Sequence, residues 1–413
     1  MRIVRGKATE SVVRKLEQRG SRLDEIEPKV RRIVAEVRKG GDRSLMRYAT
    51  KWDGLGTKQA LRLSEAEIQA GWEQTPPAVR IALWQAAVNI RQFCRWQMPR
   101  EWKKTTEGAE LGQLIRPLAS VGCYVPGGRY PLPSTLLMTV IPAQVAGVKR
   151  IAVVSPRLQP ATLAAAMLLG VSEVYRCGGA QAIAALAYGT ETVSRVDKIV
   201  GPGNAFVTAA KKLVSFDCAI DMLAGPTEAV LYNDSATPAF LASDIVAQAE
   251  HDPDAVVVIV TTLPEFAKQV SNAAESLSRG NETARQAIRK NGYILVAGSR
   301  QQAMDWVNRL APEHLTVSQE DLPAVQNAGS VFVGDYSPQS SGDYAAGPNH
   351  VLPTAGAARF RGGLSVHDFL KIITVQNFSR AAMEQIAVTV TTLAEAEGLK
   401  AHAQSVRLRC GNA

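Results

Sequence analysis

The 413-residue sequence predicts an α/β protein: two similar open α/β units with helical extensions at the N-terminal and C-terminal ends. Short apolar strands alternate with helices from about residue 114 to residue 200, and the same alternation returns between residues 255 and 333. Such alternation argues for parallel sheets with helices on their faces. The flanking segments carry helical periodicity instead. A content of 46% hydrophobic and 21% charged residues describes an ordinary globular chain with a large core and excludes the disordered and fibrous classes.

From about Leu23 to Met98 the pattern is helical. Val30, Ile33, Val34 and Val37 share one face, and Gly40-Gly41 supplies the stop expected after a helix end. Ser64, with Glu67 three residues on, reads as a capping box. Pro76-Pro77 opens a longer helix with Val79, Leu83, Ala87, Ile90 and Cys94 on one face. In the first α/β unit the strands are 151–154, 174–175 and 198–200, separated by helices over 162–169 and 180–188. In the second they are 255–260, 293–296 and 331–333, with helices over 265–277 and 302–310. The chain from about Leu364 reads as mainly helical, and no low-complexity linker separates the parts.

The formal charge of +9 favours anionic ligands, but the basic residues near the N-terminus are interleaved with Asp24, Glu25, Glu27 and Glu36 and form no nucleic-acid motif. A solvated helical surface is expected there. Five scattered cysteines without a Cys-x-x-Cys pair indicate neither a disulfide framework nor a thiolate zinc site, and fit a reducing compartment. The first residues lack the apolar core of a signal peptide, and the apolar runs are too short for a bilayer. A soluble, cytoplasmic protein with no nucleic-acid or membrane partner is expected.

Candidate chemistry gathers around the histidines, all five of which (His251, His314, His350, His367 and His402) lie in the last two-fifths of the chain. Gln248 and His251 are three apart on a helix running from about Pro238, so both project from one face. Asp343 and His402 are the best additional ligands. Two imidazoles, a carboxylate and an amide oxygen form a borderline-hard set compatible with zinc, manganese or iron. The plain alternative is a set of polar residues on a solvated face. Glu313-His314 follows a helix ending near Leu310 and Pro312, so the pair should begin an extended segment at the edge of the second unit. At an irregular strand start both side chains can reach one cleft, where imidazole and carboxylate suit proton transfer; a surface charge beside a structural histidine is the alternative. His350 lies in a Gly/Pro-rich loop of the sort that carries function, and His367 reads as an ordinary helix residue. Glycine turns at Gly127-Gly128, Gly178-Gly179 and Gly201-Pro202-Gly203-Asn204 follow strands of the first unit, where a nucleotide could sit; Gln181 and Asn204 stand at the helix starts beside them. No Gly-x-Gly-x-x-Gly fingerprint accompanies them, which leaves purely structural turns open.

Taken together, Tyr124-Val125-Pro126-Gly127-Gly128, Gly201-Pro202-Gly203-Asn204, Gly225-Pro226-Thr227-Glu228, Gln248-Ala249-Glu250-His251-Asp252, Ala311-Pro312-Glu313-His314, Gly342-Asp343-Tyr344 through His350, and Glu397-Gly398-Leu399 before His402 closely resemble the L-histidinol dehydrogenases of histidine biosynthesis. The likeness runs from about Arg31 to His402. It implies two Rossmann-like units in a homodimeric oxidoreductase that takes L-histidinol through L-histidinaldehyde to L-histidine, with two NAD consumed in two hydride transfers. It implies one zinc ion per subunit, held by Gln248, His251, Asp343 and His402, the last from the partner subunit, and serving to hold the substrate. By the same resemblance His314 is the base of the first step and Glu313 activates water for the second. Tyr124, Gln181 and Asn204 occupy NAD-contact positions. Thr227, His350 and Glu397 join the metal ligands and His314 around the substrate, with Glu397 crossing the interface beside His402. Serine is common where Thr227 stands; the hydroxyl survives.

The resemblance further implies an arm over residues 1–22, a discontinuous domain of 23–120 plus 233–360 carrying the catalytic pair, an NAD-binding domain over 121–232 and a dimerisation segment over 361–413. Two rivals remain on sequence grounds. One is a paralogous metal- and NAD-dependent dehydrogenase for another small alcohol, such as a sulfonated diol. The other is a catalytically silent metal- or nucleotide-binding protein.

Overall fold

The computed structural model describes residues 1–20, 23–56, 58–127 and 131–411. A five-stranded parallel sheet carries, in spatial order, Glu173–Tyr175, Arg150–Val154, Ser120–Tyr124, Lys198–Val200 and Ala219–Ile220. A six-stranded parallel sheet carries Arg2–Arg5, Gly292–Val296, Val256–Thr261, Glu228–Tyr232, His314–Val317 and Ser330–Val333. Numbered along the chain within each unit, and leaving Arg2–Arg5 aside, both sheets have the order 3-2-1-4-5. The two units are therefore alike in topology, as the repeated alternation predicts. Their strands are apolar runs because helices cover both faces: Val257, Val258, Ile259 and Val260 are each no more than 1% exposed.

The N-terminal helices lie elsewhere than expected. Glu27–Tyr48 packs on the helices Gly179–Tyr188 and Ala205–Val214, Glu65–Gln74 on Pro160–Leu168, and Pro77–Trp96 on Pro133–Ala146. All of these are helices of the first unit, so the expected grouping of residues 23–120 with 233–360 is corrected. An apolar stripe dictates burial but not the partner, and here close approach decides. Ala182, Ala185 and their neighbours present small side chains to the stripe of Val30, Ile33, Val34 and Val37. A Cβ on Gly71 would lie 2.3 Å from the Leu163 side chain. The arm instead joins the second unit. Arg2–Arg5 pairs in parallel with Gly292–Val296, and the helix Lys7–Glu17 buries Val13 and Leu16 in the core shared with Trp306 and Leu310. The strand Glu228–Tyr232 also belongs to the second sheet, which moves the boundary expected after residue 232 to before residue 228.

Smaller differences have local causes. Gly40-Gly41 interrupts rather than ends its helix: Gly41 takes φ 53° and ψ −139°, and the helix resumes to Tyr48. Asp42 anchors the restart by donating its N–H to Glu191 and accepting from the Thr192 hydroxyl. The capping box at Ser64 and Glu67 forms as read, whereas Val79 faces solvent and Leu83, Ala87, Ile90 and Cys94 make the buried face. The C-terminal segment opens with loops and a short 3₁₀ turn, Val366–Phe369, which holds His367. The nine-residue strand Leu370–Phe378 then pairs antiparallel with Ala109–Pro117, whose other neighbour is Trp102–Thr106. The helices Arg380–Ala396 and Lys400–Arg409 follow and pack on each other. Among the described residues no helix is long and apolar enough to cross a membrane.

Candidate active site

The helix Pro238–Ala249 returns the chain to the amino-terminal rim of the second sheet, so Gln248 and His251 arrive beside the starts of Glu228–Tyr232 and His314–Val317. Glu313-His314 opens a strand as expected, yet that strand lies between two others and is not at a sheet edge. The helix before it closes on Ala311, a non-glycine residue at φ 43°, and Pro312 then turns the chain into the sheet. The Glu313 carbonyl accepts from Ser330 N–H at 2.9 Å, and Gly329 passes so close that a Cβ there would lie 2.6 Å from that oxygen.

This backbone brings both side chains into one buried cluster. Oε2 of Glu313 accepts from the Thr227 hydroxyl at 2.6 Å and from the Glu228 N–H at 2.9 Å. The Thr227 hydroxyl also stands 3.5 Å from Oε1 of Gln248, but its single proton goes to the nearer carboxylate. Nδ1 of His314 lies 3.7 Å from Oε2 of Glu313, and Nε2 lies 3.5 Å from Oδ1 of Asp343. Its ring stacks on Phe332 with centroids 5.9 Å apart. Burial works to lower the His314 pKa, but the carboxylates of Glu313 and Asp343 outweigh it and push the imidazole up to about 10. For Asp343 burial works upward, and the contact with His314 prevails and lowers it. His350 places Nδ1 2.7 Å from the Asp343 carbonyl oxygen and Nε2 3.1 Å from the Thr135 hydroxyl. A carbonyl only accepts, so Nδ1 carries the proton, and in the neutral ring Nε2 accepts from the Thr135 hydroxyl. Burial lowers its pKa in agreement.

Gln248 is 1% exposed, and its Nε2 has no hydrogen-bond partner. His251 is exposed just past the helix end, close enough to bear on the charge of Asp343. Thus Thr227, Gln248, His251, Glu313, His314, Asp343 and His350 come together. Glu397 and His402 do not join them within the chain: both are exposed, at the end of the first and in the second of the two C-terminal helices. Among the described residues no three His, Cys, Asp or Glu side chains converge as a metal cluster.

A second cleft, of about 550 Å³, opens at the carboxyl ends of the first sheet's strands and is lined by Tyr124, Gln181 and Asn204. The Tyr124 hydroxyl accepts from Gly179 N–H at 3.2 Å. Gln181 donates to Asp53 at 3.0 Å, and Asn204 caps the helix Ala205–Val214 through Phe206 and Val207 N–H. Gly201 sits at φ 113° against Tyr124, where a Cβ would lie 2.1 Å from the Tyr124 carbonyl oxygen. Gly128, from the first glycine turn, lies outside the described residues.

Sequence reasoning missed several groups. Asp53 accepts from both Gly178 N–H and Gln181 in the cleft wall. The buried pair Lys211–Asp221 clasps Gly201: Lys211 donates to its carbonyl and Asp221 accepts from its N–H, each at 2.7 Å. Thr135 contacts Nε2 of His350, and Arg19 holds Glu228. No spacing signal marks these residues. A buried charge in a glycine turn is invisible until the fold supplies its partner.

The profile of the histidinol dehydrogenase family matches residues 16–410 of this chain. A histidinol dehydrogenase of Methanothermobacter thermautotrophicus is 46% identical over 401 residues, 94% of each chain, and one of Haloarcula marismortui is 47% identical over 405 residues, 95% of each. The crystal structure of histidinol dehydrogenase from Elizabethkingia anophelis superimposes with a TM-score of 0.93 at 36% identity, covering 98% of this chain and 96% of that one. With a profile match over nearly the full length, relatives well above 40% identity and the same fold, the chain belongs to the histidinol dehydrogenase family.

Proposed function

We propose that the protein oxidises L-histidinol through L-histidinaldehyde to L-histidine, passing two hydrides in turn to two NAD. The observation that carries this reading is the convergence of Glu313 and His314 with Thr227, Gln248 and Asp343 in one cluster. An alcohol must lose a proton as its hydride leaves, and an aldehyde must be hydrated before a second hydride can leave. His314, in its unprotonated form, is placed for the first task and Glu313 for the second. Thr227 and the Glu228 N–H fix one oxygen of Glu313 and leave the other to face water. His350, hydrogen-bonded at both nitrogens, holds the backbone of Asp343 in the short helix Gln339–Tyr344.

Zinc fits the donors. Gln248 supplies a buried amide with an unpartnered end, and the oxygen and nitrogen of such an amide exchange places by a simple flip. Asp343 supplies a carboxylate, and His251 an exposed imidazole at a helix end. Bound by these and by His402 of the partner subunit, zinc would hold the substrate's imidazole and amino nitrogens. The exposed apolar side chains of the C-terminal segment, Ile372, Ile373, Val388, Leu393 and Leu408, support its packing against a second copy, which would carry Glu397 and His402 to the neighbouring pocket. The glycine-walled cleft beside Tyr124, Gln181 and Asn204 is our assignment for NAD.

The test is NADH formation from L-histidinol by metal-replete protein, two equivalents per histidine formed. Chelation should abolish it and added zinc restore it. No turnover of histidinol with turnover of another small alcohol would overturn the substrate assignment. Mixing His402→Ala with Gln248→Ala subunits should rebuild one intact site per heterodimer; no recovery would refute a shared site.

A further inference from the structure

Glu228 is a buried carboxylate for which the reaction above has no use. It is 3% exposed, and Arg19 grips it with two parallel bonds of 2.5 Å, from Nε and Nη2 to the two carboxylate oxygens. Two further N–H groups of Arg19 donate to the carbonyls of Leu16 at 2.6 Å and Leu310 at 2.7 Å. Ala355 N–H adds a 3.0 Å bond to the same carboxylate. The main chain of Glu228 faces the pocket: Ala229 pairs with His314 across the ladder, which sets Glu228 beside Glu313, and its N–H is one of the two donors to the Glu313 carboxylate. One residue thus offers Glu313 a supporting donor from its backbone and a like charge from its side chain. A guanidinium in fixed bidentate contact cancels that charge and pins the segment whose hydroxyl and N–H hold Glu313.

We propose that Arg19, on the N-terminal arm, is a positioning residue for the water-activating carboxylate: by neutralising and holding Glu228 it keeps Thr227 and the Glu228 N–H in register with Glu313. This rests on the reading of Glu313 given above. The arm does not depend on Arg19 for its place, because Arg2–Arg5 is paired into the sheet and Val13 and Leu16 are buried in the core. Loss of the guanidinium should therefore be felt first at the carboxylate it supports.

The experiment uses the full chain with zinc and NAD and measures two rates separately: NADH from L-histidinol in a single turnover, and NADH from supplied L-histidinaldehyde. Arg19→Met should slow aldehyde oxidation by about ten- to a hundredfold, the scale of a small misplacement of a reacting group, while alcohol oxidation keeps most of its rate. Arg19→Lys retains charge without the fork and should fall between. Arg19→Met combined with Glu228→Gln removes both charges and should recover much of the aldehyde rate. Equal loss of both rates in folded Arg19→Met protein, or no recovery in the neutral pair, would overturn the proposal. Should the methionine variant not fold, Arg19→Lys and the neutral pair carry the same comparison. Glu313→Gln is the control. If it impairs both steps equally, water activation by Glu313 fails and the role of Arg19 fails with it. If it is selective and the Arg19 variants are not, only the role of Arg19 fails.

Discussion

Lys211→Met removes the cation paired with the buried carboxylate of Asp221, beneath the glycine turn of the cleft lined by Tyr124, Gln181 and Asn204. Asp221 would keep two donors, Gly201 N–H and Met222 N–H, but lose its counter-charge; the Gly201 carbonyl would lose its ammonium donor. Breaking a buried pair from one side costs about 3–5 kcal/mol, and the two surviving N–H bonds place this case near the lower end. An unpaired carbonyl adds about 1 kcal/mol, for a total of about 4 kcal/mol. Asp221→Asn on top of Lys211→Met removes the stranded charge and should restore at least about 1 kcal/mol. The assay is the midpoint of urea unfolding for the two single variants and the double. Because Gly201 abuts the Tyr124 carbonyl in the cleft wall, KM for NAD should rise in the single variants and partly recover in the double. Losses that simply add in the double variant would mean the two groups do not act as a pair, and the reasoning would be wrong.

Thr227→Val deletes the 2.6 Å hydrogen bond to the Glu313 carboxylate. A bond to a charged group is worth about 1.5–3 kcal/mol, so aldehyde oxidation should fall at least about tenfold while Thr227→Ser stays near wild type; equal rates for the two variants would refute the role. Gly329→Ala drives a Cβ to 2.6 Å from the Glu313 carbonyl, backbone that cannot swing away. A loss of about 1–3 kcal/mol is expected, and an unchanged unfolding midpoint would contradict it. Burial raises Asp244 from 3.8 to about 6. Its charged form is thus disfavoured in the folded state, so the penalty is absent below the unfolded value, grows through the interval and is constant above about pH 6. Asp244→Asn should therefore stabilise chelator-treated protein by about 2–3 kcal/mol at pH 8 and hardly at all at pH 4; the reverse trend in urea unfolding would reject the assignment.

How much of this was legible in the sequence follows from the range of the forces involved. Val256–Thr261 is readable because a strand covered on both faces must be apolar throughout, and Ser64 with Glu67 because a capping box is a contact between residues three apart. The stripe of Val30, Ile33, Val34 and Val37 announced its burial, but its partner lies some 150 residues away, and an alanine-rich helix gives no sign of which surface will seat against it. The site divides in the same way. Gln248 with His251, and Glu313 with His314, stand close in the chain and could be paired by eye. The bonds from Thr227 to Glu313 and from Arg19 to Glu228 span 86 and 209 residues, and only the sheet register and the docked arm bring them together. The family resemblance supplied roles for the first kind of residue and for Thr227, and was silent on Arg19 and Glu228.

The strand Arg2–Arg5, paired with Gly292–Val296, bears on how the molecule is made. During synthesis these residues emerge well before their partner, because 291 residues separate Arg2 from Tyr293. The first unit, whose strands all lie between Ser120 and Ile220, can complete its sheet meanwhile. The arm then docks late, with a loop-closure cost already incurred by the rest of the second unit. A segment that emerges early thus acts as the closing latch of the second sheet, so a change in Arg2–Arg5 would burden the last stage of folding, not the first.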